Sequence, residues 1–65
     1  MNYDSMHLSE LIDTFQMFAR KIDLKIFDVE FYDADRDASL KAVNYYKKEM
    51  EKINDSLFVR FGLRI

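Results

Sequence analysis

Along residues 6–22, MHLSELIDTFQMFARKI, the apolar positions Leu8, Leu11, Ile12, Phe15, Phe18, Ala19 and Ile22 recur at three- and four-residue steps. That is the period of one face of a helix. Glu10, Asp13, Gln16, Arg20 and Lys21 fall on the other side, so the pattern predicts a helix with one buried stripe. Asp4 or Ser5 is placed to cap its start by accepting a bond from an otherwise unpaired backbone N–H. Residues 37–53, DASLKAVNYYKKEMEKI, repeat the spacing with Leu40, Val43, Tyr46, Met50 and Ile53. Asp37 is the N-cap expected for this second helix, Lys52 complements its C-terminal dipole, and Asn54 can adopt the left-handed conformation that ends it.

Two further stretches alternate. In residues 24–33, LKIFDVEFYD, Phe27, Val29 and Phe31 alternate with Asp28, Glu30 and Tyr32. In residues 56–65, SLFVRFGLRI, Leu57, Val59, Phe61, Leu63 and Ile65 alternate with Phe58, Arg60, Gly62 and Arg64. A period of two is that of a half-buried strand, and aromatic and β-branched residues suit a pleated surface. The expectation is therefore an α+β fold in the order helix, strand, helix, strand. The strands run parallel through a right-handed crossover, and both helices cover one face of the short sheet. One alternative competes. Ile22, Ile26 and Val29 continue the stripe of the first helix with no Gly or Pro to break it, which would give a helical hairpin with an extended C-terminal tail.

Composition decides what holds such a domain together. A 65-residue chain is read as one domain, residues 1–65, and buries only about 60% of the surface it exposes when unfolded. It has no cysteine for a disulfide and a single histidine, so neither a disulfide nor a zinc site is expected as a staple. It is 49% hydrophobic and 15% aromatic, which leaves apolar packing and oligomerisation as the available supports. A two-stranded sheet leaves an unpaired edge on each strand. A two-fold homodimer with a continuous four-stranded sheet is therefore expected, and a protein partner adding a strand at the same edge is the other route.

Charge and chemistry narrow the function. The formal charge is −2, which supplies no strong field for nucleic acid. No run approaches the roughly 18 apolar residues of a membrane span, and MNYDSMHLSEL lacks the basic-then-apolar order of a signal peptide, so a soluble cytoplasmic protein without membrane contact is expected. The run DADRD spaces Asp33, Asp35 and Asp37 like the opening of a calcium loop, but Ala38 and Asn44 stand where that loop needs Gly and Glu. A turn with Asp side chains capping the next helix is the better reading. Asp28 and Glu30 would share a strand face about 7 Å apart, paired with Arg60 and Arg64 rather than enclosed as a catalytic acid needs. His7 has only Ser5 and Ser9 nearby, on its own first turn, which assembles no nucleophile and base.

With no catalytic, metal or cofactor site expected, elimination points to a small non-enzymatic protein-interaction module or regulator that binds a partner or itself. Its candidate interface residues are Phe58, Arg60, Arg64 and Tyr32 on the open sheet face, with Met17 and Tyr45 on the helices. The alternative is single-stranded nucleic acid stacked on that open face. Asp28 and Glu30 on the same face oppose it by repelling phosphate.

Overall fold

The computed structural model describes residues 3–32 and 35–64. A single 3-10 turn, Tyr3–Ser5, leads into helix α1, Leu8–Tyr32, and then helix α2, Arg36–Phe61. The two helices lie against each other as a hairpin measuring 41 × 17 × 16 Å. A helix of 25 residues is about 38 Å long, so α1 alone runs nearly the length of the molecule. No strand forms among the described residues, and the α+β arrangement expected from the sequence is corrected to a helical hairpin. The alternative hairpin departs from the structure in its tail, because residues 56–61 continue α2 instead of extending away from it.

The first alternating stretch is helical because packing outweighs local β preference. The seam of α1 runs Leu8, Leu11, Phe15, Phe18, Ile22, Lys25 and Val29, alternating steps of three and four, and each of these side chains is buried or half-buried. Nothing in residues 22–32 interrupts that series. The aromatic rings also find partners at helical spacing: Phe27 and Phe31, four residues apart, lie 4.6 Å between centroids, and Phe27 and Tyr32 lie 5.6 Å apart.

The second stretch is captured in the same way. Val43, Tyr46, Met50, Ile53 and Leu57 form the facing seam, so Leu57 extends a helix stripe rather than starting a strand. Burial separates the alternating residues: Leu57 is 1% exposed and Val59 is 81% exposed. Phe61 and Leu63 are exposed too, so the shared core face expected for Leu57, Val59, Phe61 and Leu63 does not exist; Ile65 lies outside the described residues. Gly62 stops α2. Its φ of 68° lies in the left-handed region, and its N–H donates to the Phe58 carbonyl at 2.9 Å while the Leu63 N–H donates to the Leu57 carbonyl at 3.3 Å.

The helix starts are also shifted. Asp35, not Asp37, caps α2, its carboxylate accepting from the Asp37 N–H at 3.0 Å and the Ala38 N–H at 3.2 Å. Asn54, expected to end that helix, sits within it. α1 begins beyond Asp4 and Ser5, with the His7 carbonyl accepting the Leu11 N–H at 3.0 Å.

The core is lopsided. Tyr3, Leu11, Phe18, Ile53 and Leu57 form its centre, with Met6, Leu8, Phe15, Tyr46 and Met50 packed against them. All of these lie in the half of the hairpin that holds the start of α1 and the end of α2. At the turn end the seam carries Lys25 opposite Ser39 and Val43, and an open groove of about 360 Å³ remains, lined by Ile26, Val29, Leu40 and Val43 with Lys25 and Arg36 at its rim.

Candidate docking surface

Buried polar groups hold the packed end. The Tyr3 hydroxyl donates to Glu49 Oε2 at 2.6 Å, and the two residues are 46 positions apart in the chain. Burial, reinforced by the Glu49 carboxylate, pushes the Tyr3 hydroxyl well above the usual phenol range. The same bond, helped by Lys52 at 3.2 Å, holds the Glu49 carboxyl below the usual carboxylate range against the opposing effect of desolvation. Ser56 Oγ donates to Asp4 Oδ1 at 3.0 Å, and Arg60 Nη1 donates to the Tyr3 carbonyl at 3.1 Å. Every buried side-chain polar atom among the described residues has a partner. The buried polar groups of this end are therefore satisfied within the chain.

That network reassigns several residues singled out in the sequence. Arg60 ties the N-terminal turn to α2, and its guanidinium also lies over the Phe61 ring at 4.9 Å. Arg64 covers the Phe58 ring at 4.6 Å. Tyr32 ends α1 at the turn end, so the structure does not bring it together with Phe58, Arg60 and Arg64, which lie at the far end of a 41 Å molecule. The open sheet face that was to unite them is absent among the described residues. Asp28 and Glu30, two apart on a helix, do not share a face, and Arg60 and Arg64 are too far along the hairpin to pair with them. Tyr45 is exposed on a flank of α2, 5.8 Å from Tyr46.

Met17 belongs to a larger feature. Met17, Leu24, Phe27 and Phe31 stand at steps of seven, three and four, so they occupy one side of α1, and that side points away from the α2 seam. All four are exposed, Leu24 at 62% and Phe31 at 66%. The distal half of α1 is therefore apolar on two opposite faces, a pattern that helices show when they are covered from both sides. Sequence reasoning missed Leu24 and assigned Phe27 and Phe31 to the core. Their helical spacing from Met17 was the signal that marks them as a second stripe.

Among the described residues no cluster of His, Cys, Asp or Glu could hold a metal ion, and no helix is long and apolar enough to cross a membrane. Compared with family models, with curated proteins and with solved structures, the chain matches none.

Proposed function

We propose that the chain is a small protein-interaction module, without an enzymatic site, that works by docking a protein against the outer apolar face of α1. One observation carries this reading. Among the described residues twelve large hydrophobic side chains are exposed while six are buried. Exposed apolar residues are ordinary when scattered, but here Leu24, Phe27 and Phe31 are neighbours at steps of three and four on one helix face, and Met17 lies on the same face beyond Arg20. The accessible surface of 4953 Å² also exceeds the roughly 4,400 Å² expected for a compact monomer of this size. Contiguous apolar patches of this kind mark interaction sites.

The nucleic-acid alternative needed Arg60 and Arg64 free on a common face with Tyr32. Arg60 is engaged by the Tyr3 carbonyl, and Arg64 lies on Phe58. The test is site-specific photocrosslinking in cells that express the chain, with the photoreactive residue at Phe27 and, as control, at the exposed Lys48 of α2. Protein adducts from position 27 and not from position 48 support the reading. Equal labelling from both, or no protein adduct from position 27, overturns it.

A further inference from the structure

We infer that the occupant of the α1 outer face is a second copy of this chain, packed antiparallel through the same stripe about a two-fold axis at Leu24; this rests on the reading of the chain as an interaction module. The register of the stripe supports it. In an antiparallel pair of identical helices, residues equidistant from the axis meet across it. With the axis at Leu24, Met17 of one copy meets Phe31 of the other, Leu24 meets Leu24, and Arg20 meets Asp28. Two of these pairs are apolar and one joins a cation to an anion, while Phe27 falls opposite Lys21, whose ammonium is turned toward its own hairpin and leaves the ring only the lysine stem to cover.

Two features of the folded chain fit this arrangement. Among the described residues neither Arg20 nor Asp28 has an ion-pair partner within its own chain, although Arg20 stands in the stripe between Met17 and Leu24 and Asp28 beside it. Lys21 would otherwise crowd Arg20 with like charge, but its ammonium turns toward the hairpin, 5.9 Å from the Phe18 ring and 5.7 Å from the Tyr46 ring. The area suits a weak, reversible pair. Met17, Leu24, Phe27 and Phe31 are 38, 62, 45 and 66% exposed. With full side chains of order 200 Å² each, covering them removes roughly 850 Å² over two copies. The stems of Arg20, Asp23 and Asp28 carry the total toward the roughly 1,200 Å² at which stable interfaces begin. The association so formed is a four-helix assembly with the two α1 helices at its centre and the two α2 helices outside.

Sedimentation equilibrium of the full chain, diluted from roughly 100 µM to roughly 1 µM, tests the inference directly. The wild type is expected as a dimer that dissociates on dilution. Leu24→Glu is expected to be monomeric throughout with an unchanged helix signal, because Leu24 makes no part of the hairpin core. Arg20→Asp places like charges opposite each other and is expected to weaken association about tenfold or more, and adding Asp28→Arg restores it. A wild-type monomer at every concentration overturns the inference, as does a dimer that Leu24→Glu leaves intact. The crosslinking arms separate the two failures: a monomeric chain whose position 27 labels a different protein removes the second copy but leaves the interaction module standing, whereas a monomeric chain that labels nothing removes both.

Discussion

Replacing Leu57 and Val59 one at a time by Ala separates a helical end of the chain from a strand. The two residues are two positions apart, and a strand would set both on the same face. In the hairpin Leu57 is enclosed by the core around Leu11 and Ile53, whereas Val59 points to solvent. Leu57→Ala removes about three methylene equivalents at about 0.8 kcal/mol each and leaves a cavity, for a loss of about 3 kcal/mol. A domain of this size has only about 3–10 kcal/mol to lose. The melting temperature should drop by roughly 12–24 °C. Val59→Ala gives up almost no burial and gains a better helix former, so its effect should stay within about 0.5 kcal/mol. Urea and thermal unfolding followed by circular dichroism, at one fixed protein concentration, measures both. A Val59→Ala loss matching that of Leu57→Ala would refute the helical placement of residues 56–61.

Other consequences follow from single contacts. Gly62→Ala forces a side chain into a left-handed conformation with open space around it, so the loss is a backbone effect of about 1 kcal/mol, read from the same unfolding curves. Asp35→Ala removes the acceptor that caps the first turn of α2 and should cost about 1 kcal/mol, with fraying of residues 36–39 visible in amide hydrogen exchange. The Tyr3–Glu49 bond makes stability depend on pH at both extremes. The carboxyl is depressed in the folded state, so its contribution is present above the ordinary glutamate range and is lost as pH falls through the folded value. The phenol is raised in the folded state, so its contribution is present below the ordinary value of 10.0 and declines as pH rises beyond it. Tyr3→Phe should flatten both limbs in a melting-temperature series. A pH profile identical to that of the wild type would show that the bond does not persist in solution.

The stripe of α1 from Leu8 to Ile22 was legible from spacing alone, and all seven of its apolar residues are buried or half-buried. In the second helix Val43, Tyr46, Met50 and Ile53 behave likewise, and only Leu40 is exposed. The two alternating stretches were misread because a period of two is not exclusive to strands. Leu57 and Phe61 are also four apart, and Leu57 follows Ile53 by four, so the same letters continue a helix. Local composition favoured a strand, but the absence of Gly or Pro between residues 19 and 32 carried the stronger physical constraint: nothing ended α1. The candidate surface suffered from the same misreading. Met17 was legible as an apolar residue on a polar side, whereas Leu24, Phe27 and Phe31 join it only once the helix is allowed to continue. Arg60 was assigned to Asp28 and Glu30 across a strand pair because its actual partner, the Tyr3 carbonyl, is 57 residues away in sequence and carries no side-chain signature.

The most direct test of the self-association is an isotope-filtered NOE spectrum on an equal mixture of labelled and unlabelled chains. Within one α1 helix Met17 and Phe31 are fourteen residues, roughly 21 Å, apart, beyond the reach of any NOE inside a single chain. Cross-peaks are expected between the Met17 methyl of one copy and the Phe31 ring of the other, accompanied by Leu24-to-Leu24 contacts. Intermolecular contacts confined to other surfaces, or none at concentrations where the stripe should be saturated, would contradict it.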